Sequence, residues 1–252
     1  PTIDIILCSR GGYGLQRIID KVVLPQRPKD QWPMLVGFSD ITALHSLLSL
    51  HGVASLHANM CKDLSLLPDE DIALSAEREF FMADTIPSPL SFTSHLLPLT
   101  YHPSPHHANV PYTIHHTSSS PLNRGGEVVG KLIGGNLSVL YGLQGTPYSL
   151  NKIIEQCEQP PILFIEDISE NHYHIDRMLN SLRMSAVFDS IGGLVVGQFT
   201  DCADDPSMGC SLLESIRQVV DDYSFPILFD YPSGHIDSNY PLLLSADYLL
   251  SV

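Results

Sequence analysis

Short apolar runs alternate with stretches of helical spacing along most of this chain. "IDIILC" (residues 3–8) and "MLVGF" (34–38) read as buried strands, each leading into a polar turn. After the second turn, Gly37-Phe38-Ser39-Asp40, the residues Ile41, Leu44, Leu47 and Leu48 repeat at helical spacing. "VASLHANM" (53–60) then reads as a further strand. An amphipathic stretch, "LQRIIDKVV" (15–23), follows the first strand, and residues 69–82 predict another helix. Alternation of this kind implies an α/β fold, a parallel sheet with helices on its faces.

Between about residues 88 and 126 the periodicity stops. The segment "LTYHPSPHHANVPYTIHHTSSSPLNRGG" is rich in Pro, His and Ser and reads as a connection or a few irregular strands. A second α/β pattern begins at Gly126, with strands expected in "EVVGKLI", "PILFIED", "GLVVGQF" and "FPILFDY". Helices are expected in "HIDRMLNSLRMSAVF" and "SLLESIRQVVDDY". The expected organisation is an N-terminal α/β domain over 1–95, a linker over 96–125 and a C-terminal α/β domain over 126–252. Pro1-Thr2 leads at once into a strand of buried character, so the chain is expected to be a fragment that lacks a preceding portion.

Composition narrows the function classes. With 28 acidic against 13 basic residues the net charge is −15, which argues against nucleic acid or an anionic membrane as partner. No apolar run reaches the roughly 18 residues that a membrane helix needs. The five cysteines are odd in number and form no CxxC pair, so they are expected as free thiols in a reducing compartment. His102, His106, His107, His115 and His116 invite a metal reading. No Asp, Glu or Cys stands among them at ligand spacing, so no metal is expected.

In open α/β sheets, chemistry collects beyond the carboxyl ends of the strands. There the strands deliver Ser9-Arg10-Gly11-Gly12-Tyr13-Gly14, Ser39-Asp40, Glu166-Asp167, Thr200-Asp201 and Pro232-Ser233-Gly234-His235. A serine, a carboxylate and a histidine from three separate strand ends are the inventory of a serine hydrolase. Each also has a plainer reading: Ser39 as a helix N-cap, Glu166 as a solvated strand end, His235 as a loop residue. "GFSD" lacks the second glycine of the G-x-S-x-G nucleophile elbow. "GGYG" matches no nucleotide-binding fingerprint, and its amides suit either an oxyanion or a tight turn. His45, six positions after Ser39 on the same helix, is expected to be structural. Of Glu166 and Asp167 only one can face the histidine, because neighbours on a strand point to opposite sides.

Six co-linear segments decide between these readings: "SRGGYG", "GFSDITALH", "GGNLSVLYGLQGTPY", "LFIEDISENHYHIDRML", "GLVVGQFTDC" and "GHIDSNYPL". Together they resemble the LD-carboxypeptidase family of serine peptidases, which includes murein tetrapeptide carboxypeptidases and microcin C immunity peptidases. The resemblance implies an N-terminal flavodoxin-like parallel sheet, N-terminally incomplete here, and a C-terminal swivelling β/β/α domain. It matches Ser39 to the nucleophile, Glu166 to the acid and His235 to the general base. It implies an oxyanion hole from the amides of Asp40 and the Gly11-Gly12 turn, and no cofactor.

Gly134, Gly135, Asn136 and Ser138 are candidates for binding the substrate, the alternative being that "GGN" only turns the chain into a helix. Arg10 is a further candidate for a substrate carboxylate. The implied reaction releases terminal D-Ala from a murein tetrapeptide in the cytoplasm during cell-wall recycling, with a homodimer as the usual assembly. Two departures stand out. The family often reads "HGPM" where this chain has His57-Ala58-Asn59-Met60, and the immunity branch carries a tryptophan after "GGN" where this chain has none; its only tryptophan is Trp32. The murein branch is therefore favoured over the microcin-immunity amidases. A non-catalytic muropeptide-binding protein is the rival from another class.

Overall fold

The structure, a computed structural model, describes residues 3–82, 112–115 and 119–252. β1 (Ile5–Leu7), β2 (Met34–Gly37) and β3 (Ser55–His57) lie parallel, with Leu7 beside Val36 and Gly37 beside His57. Between β2 and β3 runs α1 (Thr42–Leu50), followed after β3 by α2 (Cys61–Leu64) and α3 (Ile72–Met82). The next strands in chain order are β4 (Tyr112–His115), β5 (Glu127–Asn136), β6 (Ile162–Ile168), β7 (Gly193–Thr200), β8 (Ile227–Leu228), β9 (Leu242–Leu244) and β10 (Asp247–Ser251). Helices α4 (Leu137–Gly142), α5 (Leu150–Ile154), α6 (His172–Met184) and α7 (Leu212–Val219) fill the connections.

Two sheets result, one ordered β1-β2-β3-β9 and the other β4-β10-β5-β6-β7-β8. β5 to β8 are mutually parallel, whereas β10 runs antiparallel to β5 and β9 antiparallel to β3. Over residues 162–165 and 193–197, β6 and β7 are apolar on both faces, as central parallel strands are when helices or another sheet cover each side. On one side of the larger sheet, Ile175, Leu179 and Leu182 of α6 and Ile216 of α7 pack with Leu163, Ile165 and Leu194. On the other, Leu132, Phe164 and Val195 share a cluster with Val36, Leu56 and Leu242–Leu244 of the smaller sheet. The two sheets are thus held by one apolar layer, the dominant favourable term in such packing.

The helical expectation after β1 is corrected. Residues 15–23 form two single 3-10 turns, Leu15–Arg17 and Ile19–Lys21, with Val22 already extended. The cause is local: Gly14 and Ile18 leave helical geometry, no side chain caps either turn, and four β-branched residues in nine disfavour a helix.

Two strands bear on the expected organisation. Tyr112–His115, inside the expected linker, is an edge strand of the larger sheet, because Tyr112 and Ile114 are apolar and find a place beside β10. Leu242–Leu244, inside the expected C-terminal domain, completes the smaller sheet beside β3. A fully apolar triplet has no alternation to say which sheet takes it. His102, His106, His107 and His116 lie outside the described residues. Among the described residues no helix is long and apolar enough to cross a membrane.

Candidate active site

β2 runs straight into the serine turn. Ser39 has φ 63°, a left-handed conformation that costs a non-glycine residue about 1–3 kcal/mol. It opens a 3-10 turn, Ser39–Ile41, and the side chain of Ser39 caps nothing; the residue at the N-cap of α1 is Ile41. The N-cap reading of Ser39 is therefore excluded by geometry. Asp40, buried, accepts the amide of Leu15 at 3.1 Å and ties the glycine turn after β1 to the serine turn after β2. The two turns are in direct contact: a Cβ placed on Gly11 would stand 2.8 Å from Ser39 Cβ and 3.0 Å from Ser39 Oγ. Only a residue without a side chain allows that approach.

A cavity of about 260 Å³ opens here, lined among others by Arg10, Gly11, Ser39, Lys62, Asp63 and His235. Gly12 also lines it, and among the described residues the amides of Gly11 and Gly12 donate to no acceptor. The Ser39 hydroxyl likewise makes no hydrogen bond among the described residues, so its link to His235 is through the shared cavity rather than a formed bond.

His235 reaches the cavity from the loop after β8. Its Nδ1 donates to Glu166 Oε2 at 2.7 Å, a charge-assisted distance. The Glu166 side chain is fully buried and that of His235 nearly so, at 14% exposure. Burial alone would push the Glu166 carboxyl up, but the hydrogen bond from His235 and the neighbouring imidazoles bring it down to about 2. Burial would push His235 down; the Glu166 carboxylate outweighs it and holds the imidazole above its ordinary value. With Nδ1–H committed to the carboxylate, Nε2 is the atom of His235 left to exchange a proton.

Glu166 and Asp167 do point apart. Asp167 takes Asn136 Nδ2 at 2.9 Å, the Ser138 amide at 2.9 Å and the Ser138 hydroxyl at 2.5 Å. Its carboxyl is raised to about 6 by burial, against these hydrogen bonds. The alternative of Asp167 as the orienting acid is thereby excluded by its partners.

The same bonds bear on the substrate-binding candidates at the end of β5. Asn136 caps α4 by accepting the Val139 amide at 3.2 Å, and its own amide donates to Thr42 Oγ1 at 3.0 Å. Gly134 and Gly135 are the last paired residues of β5 before it, and a Cβ on Gly135 would fall 2.6 Å from Thr42 Oγ1. Gly135, Asn136 and Ser138 do not line the Ser39 cavity. Close packing and capping use up their polar groups. His45 is structural, as expected: Nε2 donates to Gly37 O and Nδ1 accepts from Ser55 Oγ, both at 2.8 Å, and burial lowers it to about 3.

Lys62 and Asp63 escaped the reading of the sequence. Nothing in "NMCKDLS" signals a site, and only the return of α2 against the first turn, with the Lys62 amide on Ser9 O, brings them to the cavity.

Fold and site together define an α/β protein with a strained serine turn facing a histidine–carboxylate pair. Comparison with known proteins gives the family. Residues 1–58 match the LD-carboxypeptidase N-terminal domain and residues 129–250 the LD-carboxypeptidase C-terminal domain, so the chain belongs to the LD-carboxypeptidase family. A probable murein peptide carboxypeptidase of Bacillus subtilis is 30% identical over 97% of this chain and 67% of its own length. The murein tetrapeptide carboxypeptidase of Pseudomonas aeruginosa is 29% identical over 93% of this chain and 68% of its own length. The chain thus spans about two thirds of these relatives. In fold it resembles the crystal structure of a muramoyltetrapeptide carboxypeptidase from Oxalobacter formigenes, with a TM-score of 0.73 at 23% identity, over 100% of this chain and 76% of that one.

Proposed function

We propose that this protein is a serine carboxypeptidase that hydrolyses the amide between an L-centre and a terminal D-amino acid, releasing D-Ala from murein tetrapeptide in cytoplasmic cell-wall recycling. The observation that carries the reading is His235, paired with the buried Glu166, opening into the same cavity as a serine held at positive φ. In this reaction His235 Nε2 takes the proton of Ser39, and Oγ attacks the carbonyl to form a tetrahedral adduct. The amides of Gly11, Gly12 and Asp40 hold its oxyanion. His235 then protonates the leaving amine, D-Ala departs, and water activated by the same imidazole frees the acyl-enzyme. Glu166 stays ionised throughout and orients the ring.

A carboxypeptidase must also recognise a free carboxylate one residue from the reacting carbonyl. In a chain of net charge −15, Arg10 and Lys62 place two cations at this cavity, and they are assigned that role. The test is D-Ala release from purified murein tetrapeptide by the wild-type chain and by Ser39→Ala. Release by the first and not the second supports the reading. Equal release by both overturns the nucleophile, binding without release indicates a muropeptide-binding protein, and cleavage of a peptidyl-nucleotide instead indicates the immunity branch.

A further inference from the structure

Glu166 has two carboxylate oxygens, and His235 uses one. The other, Oε1, is buried without a hydrogen-bond partner among the described residues. Facing it at 3.9 Å is Nε2 of His57, the last residue of β3, itself fully buried and equally without a partner. The separation is longer than a formed hydrogen bond, but the two unpartnered buried atoms face each other within about an ångström of that reach, and leaving either unpaired is costly. The imidazole is fixed from the sides: edge-on to Phe164 at 5.1 Å between ring centroids, and beside Phe38 at 5.7 Å. Its far nitrogen, Nδ1, lies 3.5 Å from Ser233 Oγ. Ser233 in turn donates to Asn239 Oδ1 at 3.0 Å, and the same oxygen accepts the Gly234 amide at 2.8 Å. His57 therefore lies between the carboxylate and the loop that carries His235, and because the Ser233 proton is committed to Asn239, a hold on both sides needs a proton on each ring nitrogen.

We propose that His57 is a positioning residue: its Nε2–H grips Oε1 of Glu166, so that the carboxylate is held at both oxygens and keeps Oε2 aimed at His235. The inference rests on the assignment of Ser39, Glu166 and His235 as the reacting set. A carboxylate anchored at one oxygen can rotate about its Cγ–Cδ bond, and the imidazole it orients then loses its aim; an ångström of misplacement costs about 10²-fold in rate. His57 is fully buried and does not line the Ser39 cavity, so substrate binding is expected to be left unaffected.

The experiment compares His57→Leu, His57→Gln and Ser39→Ala on murein tetrapeptide ending in D-Ala, together with the downfield proton resonance of the His235 Nδ1–H. His57→Leu is expected to lower kcat about 10²-fold with KM within about two-fold, and to shift or broaden that resonance. His57→Gln, which restores a donor, recovers most of kcat and returns the resonance. A His57→Leu protein with wild-type kcat and an unmoved resonance overturns the proposal, as does a His57→Gln protein no better than His57→Leu. If His57→Leu does not fold, the wild-type protein decides: nitrogen-15 labelling of the histidine rings shows a proton on His57 Nε2, and a bare Nε2 overturns the proposal. Full activity in Ser39→Ala would instead overturn the reaction assignment, so the two failures are distinguishable.

Discussion

Two turns of this molecule carry a polar residue where a parallel strand hands over to a helix: Ser39 after β2 and Asn136 at the end of β5. Asn136 sits at φ −65°, caps α4 through Val139 and also holds Asp167 and Thr42, with 5% of its surface exposed. Ser39 sits at φ 63°, its side chain caps nothing, its hydroxyl makes no hydrogen bond among the described residues, and it lines a cavity. One turn spends every polar group on stability, and the other withholds its hydroxyl at a conformational cost. A functional group needs an unspent valence, and backbone conformation is what distinguishes the two.

The comparison breaks most decisively at Ser39. Replacing it by alanine is expected to lower D-Ala release about 10⁴-fold or more, with circular dichroism unchanged. Glu166→Gln is the next largest effect, a loss of about 10³-fold or more in kcat/KM. It also moves the pH profile in a fixed direction. His235 acts as a base only when neutral, and its value is raised because the effect of Glu166 exceeds that of burial. Removing the carboxylate lowers that value, so the acidic limb of the residual activity shifts to lower pH; a shift to higher pH would contradict the pairing. Gly11→Ala forces a methyl group into the space of Ser39 and should cost about 10–100-fold in kcat, read by steady-state kinetics.

Smaller effects sharpen the contrast through stability. Asn136→Ala removes a cap and a buried hydrogen-bond partner and should cost about 1–2 kcal/mol in urea unfolding, with kcat within about three-fold of wild type. Ser39→Gly removes the positive-φ penalty and should stabilise by about 0.5–1 kcal/mol in the same assay. Opposite signs at two equivalent strand ends are the expected outcome.

Much of this was legible in the residues, and the limits have physical causes. Strands such as "ILFIED" and "GLVVGQF" were readable because central parallel strands are continuous apolar runs. The opposed directions of Glu166 and Asp167 followed from strand alternation. The placement of Leu242–Leu244 in the smaller sheet was not legible, since strand pairing is decided by packing across the chain. Nor were Lys62 and Asp63 at the cavity and the approach of His57 to Glu166, which depend on tertiary packing rather than on any local pattern. "GGN" was open to two readings because glycines required for close approach to the Phe164 backbone and the Thr42 side chain look the same, in sequence, as glycines presenting amides to a ligand.

The most direct test is covalent labelling. Treated with a fluorophosphonate, the wild-type chain should gain one phosphonyl adduct, located by peptide mass spectrometry on Ser39, and His235→Ala should gain none at the same dose. An unlabelled wild-type chain, or an adduct on any other hydroxyl with Ser39 untouched, would contradict the account.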